Sequence, residues 1–338
     1  MFEPRALGGL NLKAVLLVAL STVGTLALSV PSDDCSVTLS PGESIQGAID
    51  RASPEDVLCL RAGEYDEALK ISKPITLRGL GGSPGAVKIR WTGDFDHTMR
   101  ISGSAEVALE RLTLTKAEQF VCWVRADEIA CSAALLVEDQ ATVTAEEVRL
   151  EGAGVGLLAQ GSSVVEMKDS KAAKNAFGVF AEGEARLRFE SADLRENSFG
   201  VVVRGSARLR LQGGGVLQNE FDGLKAGGDA SVVLESVTVE GNGRECEERR
   251  LICNGVTAQG KAQLTLKDST VQKNADWGLS SVKRACGYPR DDFEGEVRFE
   301  GENTLEGNDL SGHQAQRGNP GDHPWSGEDV PGGQVCLP

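Results

Sequence analysis

ATVTAEEVRLEGA (141–153), SVVEMKDSKAAKN (163–175), ARLRFESADLREN (185–197), ARLRLQGGGVLQN (207–219), ASVVLESVTVEGN (230–242) and AQLTLKDSTVQKN (262–274) are one phrase written six times. The starts lie 22, 22, 22, 23 and 32 residues apart. A period in the low twenties marks a solenoid, in which each repeat is one structural turn that cannot bury its apolar face alone. Two and four residues past each start stand Val143/Ala145, Val165/Met167, Leu187/Phe189, Leu209/Leu211, Val232/Leu234 and Leu264/Leu266, alternating with polar residues. That alternation predicts a strand with one buried face.

Nine residues past the start, Leu150, Ala172, Leu194, Val216, Val239 and Val271 mark a second short strand. Twelve past it come Asn175, Asn197, Asn219, Asn242 and Asn274, a residue type that tolerates the left-handed conformation of a sharp bend and can bond its neighbours across rungs. Phe177, Phe199, Phe221 and Trp277 follow and read as packing residues; then a glycine opens a third strand in GVFA (178–181), GVVV (200–203) and GLSS (278–281). Three strands and three turns in about 22 residues leave no room for a crossover helix. The expected fold is therefore all-β, a parallel β-helix of about nine or ten coils.

The pattern resembles the right-handed β-helix of the pectin-lyase-like superfamily, with its carbohydrate-binding and sugar-hydrolase repeats and its NosD-like periplasmic members. The resemblance covers most of the chain beyond the N-terminal segment and implies a fold more than an activity. DVLCLRAGEYDEALKISKPITLRG (56–79) is similar to the opening coil of many secreted β-helices, including pectin methylesterases.

The domain plan follows. Residues 1–29 carry Arg5 and Lys13 ahead of the apolar run 14–30 and read as a secretory signal, or as an uncleaved anchor; either one exports the remainder. Residues 30–55 form an N-terminal cap, with Ile45, Ala48, Ile49 and Ala52 at helical spacing behind Ser44 as the helix cap. A helix there covers the open first coil, whose apolar interior and strand edge would otherwise meet water. The β-helix spans 56–308, and 309–338 is a Gly- and Pro-rich tail that folds back or covers the last rung.

A net charge of −15 argues against nucleic acid as a partner. Eight cysteines in an exported chain favour disulfides. The repeat register narrows the pairing: Cys122–Cys131 and Cys246–Cys253 bracket insertions at the asparagine corner, Cys35–Cys59 ties the cap to the first coil, and Cys286–Cys336 ties the tail to the loop after Gly278. No Cys-x-x-Cys occurs and there are three histidines, against a zinc site.

Catalytic residues are not found. Pectate lyases, polygalacturonases and pectin methylesterases carry signature carboxylate sets that this chain lacks. The nearest fragments are Asp94, Asp96 and His97, and Asp291, Asp292 and Glu294, both read as polar turns rather than as acid–base or calcium sites. Copper handling, which the NosD-like resemblance raises, needs soft or imidazole ligands; apart from Met1 only Met99, Met167, His97, His313 and His323 are present, so no cofactor or metal is expected.

The positive feature appears when rungs are stacked. The outward positions of successive first strands place Arg186 and Arg188 over Arg208 and Arg210, with rungs about 4.8 Å apart. Planar guanidinium forks suit carboxylate or sulfate, and stacked like charges need something to offset them. In the resembled superfamily the corresponding face lines a glycan groove, which implies an anionic polysaccharide or cell-surface glycan as ligand. The competing reading is a surface charge ladder neutralised by Glu166, Glu190 and Glu235. Trp123, between Cys122 and Cys131, lies off the repeat and completes the candidate ligand set. The expected function is a non-catalytic binding or structural protein of the periplasm, cell surface or medium; the alternative is a polysaccharide lyase or hydrolase. A membrane is a partner only if the N-terminal segment stays uncleaved.

Overall fold

The computed structural model describes residues 34–93, 97–116, 122–125, 128–246, 252–308 and 335–337, with the backbone alone for 122–125 and 128–130. The signal or anchor reading of 1–29, the acids Asp94 and Asp96, and His313 and His323 lie outside these residues.

Three parallel sheets wind about one interior. The first has eleven strands, from Val37–Leu39 to Glu296–Glu300; the second has ten, from Gly63–Asp66 to Thr304–Glu306; the third has ten, from Leu69–Ile71 to Val335–Cys336. The alternation seen in the sequence sets the register. Val143, Val165, Leu187, Leu209, Val232, Leu264 and Val297 stand in one column, and Ala145, Met167, Phe189, Leu211, Leu234, Leu266 and Phe299 in the next. Slipping one strand by a residue would turn its apolar set to water, so burial fixes the pairing. Leu150, Ala172, Leu194, Val216, Val239, Val271 and Leu305 form the inner column of the second sheet.

The asparagine corner is tied by side chains. Asn175 Nδ2 donates to Asn197 Oδ1 at 3.0 Å, and the same bond links Asn197 to Asn219, Asn219 to Asn242, Asn242 to Asn274 and Asn274 to Asn308. Each of these oxygens also accepts the backbone N–H of the preceding asparagine. The expected role in the bend is corrected in one respect. The left-handed residue is the one before each asparagine, as at Lys174 (φ 59°), Glu196 (φ 55°) and Gln218 (φ 54°). Asparagine is there for its amide, which closes a buried ladder, rather than for its backbone freedom.

The glycine that opens the third strand has the matching reason. A Cβ at Gly178 would sit 2.6 Å from Asn197 Nδ2 and 2.6 Å from the Gly200 carbonyl. The aromatic column therefore lies outside the coil interior: Phe177 and Phe199 stack at 5.2 Å and 12°, half-buried, with Phe177 edge-on to Phe180.

The cap helix spans Ile45–Arg51, with the Ser44 hydroxyl accepting the Gly47 N–H at 3.0 Å. It buries Ile45, Ala48 and Ile49. Gln46 finishes the third sheet: its side-chain oxygen accepts the Lys70 N–H at 2.8 Å and its Nε2 donates to the Lys70 carbonyl at 3.2 Å. One amide thus bonds a strand edge as a further strand would. At the other end, Val335–Cys336 pairs with Leu279–Ser280, so the end of the tail contributes a strand to the third sheet.

Disulfides join Cys35 to Cys59, Cys246 to Cys253 and Cys286 to Cys336, as the register implies. Cys122 and Cys131 stand opposite each other in an antiparallel hairpin, Cys131 is disulfide-bonded, and the Cys122 side chain lies outside the described residues. Among the described residues no cysteine is free, the pattern of an exported protein.

Candidate functional site

The first sheet presents three outward columns. The middle one runs Ala108, Thr144, Glu166, Arg188, Arg210, Val233, Thr265 and Arg298; Arg186 and Arg208 belong to the column before it, Glu146, Lys168, Glu190 and Glu235 to the column after. Period-two alternation places every one of them outward, because Leu187, Phe189, Leu209 and Leu211 take the interior. A groove of about 720 Å³ follows the middle and last columns from Ala108 to Gln212.

Arg186 pairs in register with Arg208, and Arg188 with Arg210, so the two-by-two block exists. Its halves differ. Arg188 meets Glu166 at 3.3 Å, and Arg210 donates to Glu235, which also accepts Lys267 at 2.8 Å. The Lys267 ammonium foremost, and then Arg210, holds the Glu235 carboxyl below the usual carboxylate range. Arg186 and Arg208 are exposed and have no ion pair among the described residues. Of the three glutamates expected to neutralise the block, Glu166 and Glu235 do so and Glu190 has no ion pair among the described residues.

The remaining groove carboxylates are engaged. Glu110 holds Arg78 through two bonds of 2.6 and 3.1 Å, and Glu146 meets Lys168 at 3.0 Å. Trp123 is not brought to this face: its strand, Cys122–Arg125, leaves the coil between the second and third sheets, and its side chain lies outside the described residues. His97 accepts the Ala133 N–H at Nδ1, 3.0 Å away. Asp291 and Asp292 pair with Arg284 and Arg290. No cluster of three or more metal-ligating side chains occurs among the described residues, and no helix there is long and apolar enough to cross a membrane.

A polar cluster that the sequence reading missed lies on the third sheet. Asp222, 7% exposed, is the extra residue of the coil from Ala207: Phe221 keeps its place in the aromatic column, 4.9 Å from Phe199, and Asp222 is inserted between it and the Gly223 that opens the next strand. Its Oδ1 accepts the Asn254 N–H at 2.8 Å and the Thr257 hydroxyl at 3.2 Å; Asn254 Nδ2 donates to Tyr288 Oη at 2.8 Å. Burial pushes the Asp222 carboxyl and the Tyr288 phenol above their usual ranges. The unequal spacing of 23 residues was the available signal.

A three-sheet parallel coil with an inward asparagine corner and a capped first turn makes the chain an all-β parallel β-helix. Residues 133–289 match the family model described as "Right handed beta helix region". Among solved structures, the A-module of a mannuronan C-5 epimerase from Azotobacter vinelandii is 14% identical, with a TM-score of 0.41 over 80% of this chain and 96% of that one. A pectin methylesterase from Erwinia chrysanthemi is 13% identical (TM-score 0.43; 73% and 81% covered), and one from carrot 12% identical (TM-score 0.46; 81% and 83% covered). These are likenesses of fold. No match is found among curated proteins.

Proposed function

We propose that this is an exported, non-catalytic β-helix binding protein that holds an anionic carbohydrate on the outer face of its first sheet. The observation that supports the reading is the pair Arg186 and Arg208: exposed, in register, about 4.8 Å apart, without a carboxylate partner among the described residues, and beside a groove. Two unpaired guanidinium groups stacked on a parallel sheet repel each other, and a ligand carrying carboxylate or sulfate relieves that repulsion with bidentate bonds. Turnover of a glycan needs two carboxylates free to act as acid and as base or nucleophile. Of the groove acids, Glu110, Glu146 and Glu166 are each bonded to a cation, which favours binding over catalysis.

A glycan array tests this with the disulfide-intact protein and its Arg186→Ala/Arg208→Ala variant at low and physiological salt. Binding of uronate or sulfated glycans by the parent, lost in the variant and weakened by salt, is the expected result. A parent that binds none of them overturns the reading and leaves the arginines as surface charge.

A further inference from the structure

We propose that Glu166 and Glu235 are built-in competitors of the ligand: they occupy Arg188 and Arg210 and so limit the site to two adjacent acidic groups, held by Arg186 and Arg208. This rests on the function proposed above and concerns how that same face is regulated.

The geometry separates the block into an occupied and an open half. Glu166 lies one rung before Arg188 in the same column, so its carboxylate reaches along the axis toward the guanidinium. Glu235 comes from the last column one rung after Arg210 and is held from its far side by Lys267. Its side chain is only 15% exposed, against 56% for Arg210, so the carboxylate is the fixed member and the arginine the mobile one. A carboxylate seated on a guanidinium is what a uronate would present, and the protein supplies it itself. Among the described residues Arg186 and Arg208 have no such partner, although Glu190 stands on the same strand as Arg186. Charge alone therefore does not decide which arginines are covered; register and reach do.

The competition is mild. An exposed ion pair that a ligand must break weakens binding by at most about fivefold. Two such pairs set a threshold of about tenfold to twentyfold that separates a ligand satisfied by Arg186 and Arg208 from one needing all four arginines. Affinity for a series of acidic oligomers then rises until two acidic groups are engaged and levels off. With both competitors neutralised it continues to rise as more acidic groups are added.

The experiment measures binding of oligogalacturonates of defined length, and of heparin-derived oligosaccharides, to the parent chain and to Glu166→Gln/Glu235→Gln and Glu190→Gln, with circular dichroism to verify the fold. Glu190→Gln makes the same kind of charge change on the same face without uncovering an arginine. Expected are about tenfold tighter binding of the longer oligomers by the double variant, no such gain for Glu190→Gln, and a later plateau with length. Equal gains per charge removed, two charges in the double variant and one in Glu190→Gln, overturn the inference in favour of general electrostatics. A parent that binds, with an unchanged double variant, overturns it while leaving the proposed function standing. Absence of binding by parent and variants alike overturns both.

Discussion

Replacing Asn219 by alanine cuts the ladder at its middle. The side chain is fully buried; its Oδ1 accepts the backbone N–H of Asn197 at 3.0 Å and Asn197 Nδ2 at 3.2 Å, while its Nδ2 donates to the Leu194 carbonyl at 3.2 Å and to Asn242 Oδ1 at 2.8 Å. Asn242 Oδ1 keeps the backbone N–H of residue 219, so that oxygen is not orphaned. Two buried donors of Asn197 and the Leu194 carbonyl lose a partner. At about 1–3 kcal/mol for each group left unsatisfied, with water relieving part of it, the cost is about 4 kcal/mol. Hydrogen exchange is the suitable assay, because a solenoid opens locally and a single unfolding transition cannot be assumed. Protection of the Asn197 amide should fall by about three powers of ten. Asn175→Ala supplies the gradation. It strips one N–H, that of Ala153, and the Leu150 carbonyl, and should cost about 2–3 kcal/mol. A loss under about 1 kcal/mol at Asn219, or an Asn175 effect as large as the Asn219 one, would refute the satisfied-ladder account.

Two further outcomes are expected. Gly178→Ala forces a Cβ to within 2.6 Å of Asn197 Nδ2 and of the Gly200 carbonyl, and should destabilise by about 1–3 kcal/mol in urea unfolding, whereas Gly103→Ser, at a site open on all sides apart from its φ of 72°, should cost less. Asp222→Asn keeps an oxygen for the Asn254 amide and the Thr257 hydroxyl but removes a carboxyl whose folded-state pKa is raised by burial. The wild-type carboxyl contributes fully below the ordinary value of 3.8 and its contribution is lost as pH rises through the folded value. The variant should therefore gain on the parent as pH climbs from 3.8 toward neutrality; denaturation curves that stay parallel across that range would contradict the burial argument.

The coil was legible because its determinants are periodic. Positions two, four, nine and twelve past each start face the interior in every rung, and a repeat displays such positions six times over. What breaks the period stayed hidden. Asp222 reads as a surface acid until it is seen to be the extra residue of its coil, inserted after Phe221 and buried there. The cap helix was predicted from spacing, yet the use of Gln46 to bond the Lys70 backbone depends on where the helix comes to rest. The arginine block followed from strand parity, whereas its division into covered and open halves depends on side-chain reach: Glu166 along a column, Glu235 across two, and Glu190 to neither.

The asparagine ladder also makes the molecule's length adjustable. Each amide contacts only the coils immediately above and below, and 185–206 occupies the same register as the coils on either side. A coil could be duplicated or deleted there and the neighbouring amides would close on one another across the new joint. Because Arg186 lies in that coil, each copy would lengthen the row of stacked guanidinium groups by one rung. Lineages carrying this architecture could thus set the length of that arginine row by copying a short stretch of gene, with no new contact to invent inside the fold.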